Sequence, residues 1–285
     1  MNNSLHQSLK DRLKQISKIK NQTPAELWQI LVLERILVRI IKSKYRDNFI
    51  FKGGLLLSKY IEIGRETKDL DFVVKKIKKE TNNLEKIFKE IAEINIQDGF
   101  IFKNIKIHTL SHLHMEYLGS RVFMDGFFEK TRFKVQIDLG FGDIIEPILK
   151  NIELMKDRKG PLFESHIEIV SYPQEFIFAE KLHSIVARGQ ANSRMKDFHD
   201  LYLLINQKEN TFQKQFMLII KKVFDHRNSK FLLPLKFNDK DFYELQNFWK
   251  RHLSKLNKNH IFPSEIKDVI LAINKWLEKK IISEK

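Results

Sequence analysis

The sequence predicts an α+β protein: helices first, then a mixed sheet, then a helical C-terminal half. Three observations carry this. Before residue 45, apolar residues recur at helical spacing. Between residues 100 and 140 they alternate or run together in short stretches separated by turn residues. Beyond Pro173 the helical period returns and holds to the end, with Pro234 and Pro263 in connections.

In chain order, residues 5–20 place Leu9, Leu13, Ile16 and Ile19 at helical spacing. Thr23-Pro24-Ala25-Glu26 reads as a helix start: Thr23 as N-cap, Pro24 at the first helical position, Glu26 three residues after the cap. That helix is expected to run through Trp28, Leu31, Leu33, Ile36, Leu37 and Ile40 to about Lys44. Asn48 to Phe51 is a short strand feeding Gly53-Gly54. Leu55 to Ile61 reads as a short apolar helix, Leu70 to Val74 as a strand and Glu80 to Ile94 as a helix with a polar face. Strands are expected over Ile101–Ile107, Met115–Phe128 and Arg132–Leu139, the last broken by Gly140-Phe141-Gly142-Asp143, with a further short one at Ile167–Val170. Helices are expected over 174–188, 195–206, 212–225, 239–253 and 263–281. No internal repeat or low-complexity linker interrupts this layout. It divides at 172/173 into a core of N-terminal helices and mixed sheet (1–172) and a helical domain (173–285).

With 285 residues, 42% hydrophobic and 31% charged, the chain has the interior for a stable core and not the composition of a disordered segment. No apolar run approaches the roughly 20 residues that span a bilayer. The opening Met1-Asn2-Asn3-Ser4-Leu5 lacks the pattern of a secretion signal. With no cysteine, disulfides and thiolate metal sites are excluded. A cytoplasmic protein with no membrane partner is the simplest expectation. The net charge of +15 favours a polyanionic partner, RNA or DNA, because basic surfaces bind phosphate backbones with little regard to sequence. Only 12 of the 51 basic residues are arginine, so a lysine-rich composition bias accounts for the same charge without a ligand.

Chemistry concentrates first in Phe51-Lys52-Gly53-Gly54 and Arg65-x-Thr67-x-Asp69-Leu70-Asp71. In a strand, Asp69 and Asp71 share a face. Two adjacent carboxylates call for a neutralising partner, commonly a divalent cation. A paired glycine gives a tight turn, close backbone approach and N–H groups for phosphate. Together these make the minimum kit for metal-assisted nucleotidyl transfer. A two-metal site wants a third carboxylate from a neighbouring strand. Asp138, in the apolar run Phe133 to Leu139, fits, and the ligand role is preferred to that of a strand-end acid beside the Gly140 turn.

A second constellation is helical. Glu180 and Lys181 interrupt an apolar helix, and Lys181 and Arg188, seven apart, share a face. Asp197 and Asp200, three apart, also share one. Surface ion pairing would contribute little. In largely buried helices, however, these charges need partners or a ligand: Lys181 suits a triphosphate, and Asp197 or Asp200 could orient it or accept a proton. His108, His112 and His114 have no acid or cysteine between them and read as structural, and His183 and His199 as packing residues. The 23 phenylalanines read mainly as core, with a few on an exposed face available to stack bases. Lys75-Lys76, Lys78-Lys79 and the Lys250 to Lys258 run read as solvated faces along which an RNA backbone would lie.

These motifs together resemble the AbiEii/AbiGii family of nucleotidyltransferase toxins, which includes the MenT toxins. The resemblance rests on Asn48 to Gly54, Arg65-x-Thr67-x-Asp69-Leu70-Asp71-Phe72, Gln136-x-Asp138, Ala179-Glu180-Lys181-Leu182 with Arg188, and Lys196-Asp197-x-x-Asp200-Leu201-Tyr202, over roughly residues 25–206. The chain departs from the family in having Gln136 where Lys is common, and in a slightly long spacing from Gly54 to Asp69. The resemblance implies a polymerase-beta-like nucleotidyltransferase fold and a toxin of a two-gene toxin–antitoxin or phage-defence system, with the antitoxin encoded nearby. It implies transfer of a nucleotide from an NTP co-substrate to RNA, at the 3′ end of tRNA, which blocks translation. By motif, Asp69, Asp71, Lys181 and Asp197 would be catalytic. Lys52, Gly53, Gly54, Arg65, Thr67, Arg188 and Asp200 would serve the nucleotide. Asp69, Asp71 and Asp138 would bind Mg2+, with Mn2+ as the alternative ion. Lys181 and Asp197 would make the helical domain a contributor to catalysis. Two other readings stay open: a nucleotidyltransferase for a protein or small-molecule hydroxyl, and a non-catalytic RNA- or protein-binding module.

Overall fold

The buried apolar residues of Phe49–Lys52 (β1) and Asp69–Val74 (β2) build the centre of a sheet. β1 pairs antiparallel with β2, Lys52 opposite Asp71 and Phe51 opposite Phe72. The computed structural model describes residues 2–20, 22–110, 119–189, 192–207, 212, 215–256 and 262–283. Within these, the chain separates into two units, Met1–Lys59 with Glu66–Asp143 and Pro147–Tyr172, and Tyr60–Arg65 with Ile144–Glu146 and Pro173–Lys285.

The first unit opens with helices Asn2–Lys20 (α1) and Pro24–Lys42 (α2). The capping box at Thr23 forms as its residue types dictate: Glu26 N–H donates to Thr23 Oγ1 at 3.2 Å and Thr23 N–H to Glu26 Oε2 at 2.6 Å. α2 is buried nearly all round, so its charges are paired internally. Arg39 makes a bidentate contact with Asp98 at 2.8 and 2.9 Å, and Glu34 takes Lys59 at 2.8 Å. Next come the five-residue helix Gly53–Leu57 (α3) and Thr81–Ala92 (α4). The strands that follow are Phe100–Leu110 (β3), Gly119–Phe128 (β4), Thr131–Phe141 (β5) and Ile148–Glu153 (β6). A small hairpin, Lys156–Asp157 (β7) with Gly160–Pro161 (β8), precedes His166–Ser171 (β9).

The main sheet has seven strands in the order β3-β4-β5-β2-β1-β9-β6. β2 runs parallel to β5 and β1 parallel to β9, and the other neighbours are antiparallel, so the sheet is mixed as expected. One face is apolar and covered. Leu70, Phe72, Val122, Met124, Ile137 and Leu139 point there, each at most 2% exposed. Phe49 stacks edge-on to Phe72 and to Phe88 of α4, and Trp28 of α2 packs on Phe128 and Phe133.

In the second unit the helices are Gln174–Arg188 (α5), Met195–Ile205 (α6), Phe216–His226 (α7), Asp239–Leu253 (α8) and Ile266–Ser283 (α9). Their core gathers Phe178, Phe216 and Trp276, with ring centroids 5.1–5.3 Å apart. Trp249 is fully buried, its indole N–H donating to Pro263 O at 2.9 Å.

The structure departs from the sequence expectation at two helix ends and in its strands. The helix expected to reach Ile61 ends at Leu57, where the Ser58 N–H turns back to Gly54 O. The helix expected from residue 212 begins at Phe216, because Gln215 sits at φ 83°, a left-handed conformation no α-helix contains. Strand β6 was not expected at all. Only Ile152 among its residues is buried, so no alternating pattern marks it, and its identity comes from pairing with β9. Residues 115–118 of the strand expected from Met115, together with His112 and His114, lie outside the described residues.

Candidate active site

Strand alternation puts Asp69 and Asp71 on the open face of the sheet, with Leu70 and Phe72 buried on the other. The parallel register with β5 sets Gln136 opposite Asp69 and Asp138 opposite Asp71. Register partners share a face, so all four side chains stand together. β1 adds Lys52 opposite Asp71. The third carboxylate expected from a neighbouring strand is therefore beside the pair.

Gly53 makes room for this arrangement. It sits at φ +77°, and a Cβ there would stand 1.9 Å from Asp71 Oδ2. Only glycine accommodates both the backbone and the carboxylate. Gly54 follows it in the first turn of α3. Thr67 Oγ1 is buried and lacks a hydrogen-bond partner among the described residues; a ligand or water would satisfy it.

Two residues of this face were missed from sequence. Arg121 of β4 lies opposite Asp138 and grips it bidentately, Nε to Oδ1 and Nη2 to Oδ2, both at 2.7 Å. Gln136 Nε2 donates to the same Oδ1 at 3.2 Å. The hydrogen bond to Asp138 holds the Arg121 guanidinium above its usual pKa, and the nearby charges of Asp69 and Asp71 add to it. Asp143, from the glycine turn after β5, takes the Lys52 ammonium at 2.8 Å. Tyr172 O–H donates to the same Asp143 oxygen at 3.4 Å. Lys52 is thus oriented by Asp143 and lies 5.1 Å from the Tyr172 ring centroid. The signal for Arg121 was a charge inside an apolar strand; its partner depends on register alone.

Among the described residues no group of three or more His, Asp or Glu side chains is placed to hold a metal ion. Magnesium usually needs only one or two carboxylates, its remaining positions going to water and substrate phosphates. The Asp69 side chain makes no hydrogen bond or ion pair among the described residues, and with Asp71 it offers that two-carboxylate donor set. Both oxygens of Asp138 already accept from Arg121, so its part in a metal shell would be shared with a cation of the protein.

The second unit holds the helical constellation. α5 places Lys181 and α6 places Asp197 and Asp200, the two acids on one face of that helix. Lys181 Nζ lies 2.6 Å from Asp200 Oδ2 and 3.2 Å from Asp197 Oδ1. Arg65 grips Asp200 bidentately at 2.8 and 2.6 Å. Ser184 and Arg194 both donate to Asp197 Oδ2, at 3.0 and 3.1 Å. The acids are at most 2% exposed. Burial by itself would push the Asp200 and Asp197 carboxyls up, but Lys181, with Arg65 for the first and Arg194 for the second, holds both below the usual range. Burial likewise opposes the charge on Lys181, and Asp200 and Asp197 reverse that and hold its pKa up. The Arg188 side chain, in the exposed last turn of α5, makes no hydrogen bond or ion pair among the described residues. His199 is packed as expected, Nε2 at 2.7 Å from Ile63 O and Nδ1 at 3.0 Å from His252 Nε2.

A family model described as nucleotidyl transferase AbiEii toxin, type IV toxin–antitoxin system, matches residues 35–264, a span that holds every residue above. The chain belongs to this family. It is an AbiEii nucleotidyltransferase, and membership in a type IV toxin–antitoxin family implies a cognate antitoxin. Three solved structures share its fold. MenT4, a nucleotidyltransferase toxin from Mycobacterium tuberculosis H37Rv, is 15% identical with a TM-score of 0.54, over 90% of this chain and 84% of that one. A Helicobacter pylori protein described as a candidate nucleotidyltransferase is 17% identical with a TM-score of 0.51, over 90% and 96%. JHP933 from Helicobacter pylori is 16% identical with a TM-score of 0.50, over 90% and 93%. No curated protein matches this AbiEii chain at a significant level. No helix among the described residues is long and apolar enough to cross a membrane.

Proposed function

We propose that this AbiEii chain transfers a nucleoside monophosphate from an NTP to RNA, the 3′ end of tRNA, and so blocks translation in the cytoplasm until its antitoxin counters it. Defence against phage is the setting that the toxin–antitoxin family suggests for such a reaction. The observation that supports the reading most is the pair Asp69 and Asp71 on one sheet face, with Asp138 in register and Gly53 cleared for Asp71.

Asp69 and Asp71 would hold magnesium (manganese as the alternative), and a bound ion supplies charge neutralisation on the phosphates and at the attacking oxygen. The 3′-hydroxyl oxygen forms the new bond to the α-phosphorus, the bond to the β-phosphate oxygen breaks, and pyrophosphate leaves. Lys52 and the Gly53-Gly54 turn border Asp71 and would take the triphosphate, with Thr67 Oγ1 as a further polar contact. By family motif, Lys181 contacts the nucleotide and Asp197 serves as acid or base. Its carboxylate is kept ionised, the form that accepts a proton. Asp200 and Arg65 fix Lys181 and its surroundings. The basic surface, net +15, would hold the tRNA backbone, and binding should weaken steeply with salt.

The test incubates the purified protein with total tRNA, magnesium and each labelled NTP in turn, beside an Asp71→Asn variant. Label entering tRNA from one NTP, lost in the variant, supports the reading and names the donor. Label on protein or a small molecule instead of RNA, or a fully active Asp71→Asn variant, would overturn it.

A further inference from the structure

The face that carries Asp69 and Asp71 continues outward onto β5, β4 and β3. Asp69, Gln136, Phe123 and Lys106 are consecutive register partners across four strands. Beside that row runs another: Lys52, Asp71, Asp138, Arg121 and His108. Phe123 thus stands on the same face as the carboxylates, two strand spacings away, about 10 Å.

Its setting differs from that of its neighbours on β4. Val122 and Met124 turn to the opposite face and are buried at 0% and 2%, whereas Phe123 is 37% exposed. The His108 ring meets it at 86°, centroids 5.3 Å apart, a perpendicular aromatic contact that braces one side of Phe123. Around it on this face stand Lys106, Arg121 and Lys134, one register row beyond Gln136. An isolated surface aromatic needs no explanation. An aromatic on an open sheet face, braced by a second ring, with Lys106, the Asp138-bound Arg121 and Lys134 opposite Asp125 around it, has the make-up of a surface that stacks a base and draws its phosphates.

We propose that Phe123, braced by His108, is a stacking shelf for a nucleobase brought to Asp69 and Asp71. The base comes either from the NTP or from the terminal nucleotide of the acceptor RNA; both present the same flat π-face joined to phosphate. This deepens the nucleotidyl-transfer reading above and rests on it. Phe123 is a positioning residue, since the reacting atoms lie nearer the carboxylates.

The test compares Phe123→Ala, Phe123→Leu and Phe123→Tyr with the wild type in the labelled-NTP transfer assay, measuring KM for each NTP and for total tRNA. Thermal melts serve as the fold check. Ala and Leu should raise KM for one substrate about 5- to 100-fold, the size expected for a lost base stack, with kcat nearly unchanged. Tyr should restore KM to within about 2-fold, because its ring stacks equally well. A shift confined to tRNA assigns the acceptor base, and one confined to the NTP assigns the donor. Unchanged KM values in an active Ala variant overturn the shelf and leave the reaction standing. So does rescue by Leu as full as by Tyr, which would mark a plain apolar contact such as a protein surface. If the wild type labels no RNA, the reaction reading fails first. Binding of dye-labelled tRNA and of each NTP by the wild type and the Ala variant then decides the shelf, and equal or absent binding overturns it.

Discussion

The α-carbon of Gly53 lies directly against the carboxylate of Asp71. A methyl group on residue 53 would stand 1.9 Å from Asp71 Oδ2, on a backbone already at φ +77°. The glycine turn and the acid of the next strand are therefore one structural device, joined by β1 pairing with β2.

Gly53→Ala should disable the enzyme through Asp71. Left-handed backbone costs a non-glycine residue about 1–2 kcal/mol, and the carboxylate must move as well. Nucleotide transfer should fall at least about 100-fold, a ligand-shell loss larger than that of outer partners. The melting temperature should drop by only a few degrees. Steady-state kinetics and a thermal melt check both. An Ala variant with wild-type kcat would show that Asp71 position is unimportant.

Asp69→Asn and Asp71→Asn should each remove transfer while leaving the melting temperature near that of the wild type. Both side chains are part-exposed on the open face, and neither supports the apolar core. Loss of magnesium-dependent NTP binding, followed by calorimetry, should accompany the loss of activity. A variant that binds magnesium-NTP as well as the wild type would remove that acid from the donor set.

Arg121 and Asp138 should behave as a coupled pair. Their bidentate contact is part-buried, with side chains 33% and 24% exposed. A double-mutant cycle with Arg121→Ala and Asp138→Ala, read by urea unfolding, should give a coupling of about 1 kcal/mol. Additive effects would show that the pair contributes no net stability.

Asp200→Asn should be severely destabilising, because it removes the buried carboxylate charge that both Lys181 and Arg65 grip in the helical unit. Breaking a buried pair from one side costs about 3–5 kcal/mol. Loss of well under 1 kcal/mol in urea would show that water reaches this cluster.

Acid should weaken the protein in two stages. Burial pushes His199 down to about 4, so below its unfolded value of about 6.5 the unfolded chain binds the proton first. That stability is complete above about pH 6.5 and is lost as pH falls toward 4, by about 1–3 kcal/mol. Asp197 and Asp200, held below the usual carboxylate range, act in the next window: their contribution is present above about pH 4 and is lost as pH falls further. Urea midpoints from pH 7 to pH 5, with His199→Gln for comparison, test the first stage. A wild-type midpoint flat over that range would sink it.

Much of this molecule was legible in one dimension. The Thr23–Glu26 capping box, α8 from Asp239 to Leu253, and the shared face of Asp69 and Asp71 all follow from interactions within a few residues of chain. Helical period, strand alternation and cap chemistry are local rules, so local residue types suffice. The pairings that shape the two clusters obey no such rule. Arg121 meets Asp138 only because β4 pairs with β5 in one register, and a slip of one residue would turn Arg121 to the opposite face. Arg65 reaches Asp200 across 135 residues, and Lys52 reaches Asp143 across 91. Strand order, register and the closure of long loops decide which charges meet. These are properties of the packed chain, set by the burial of its apolar faces.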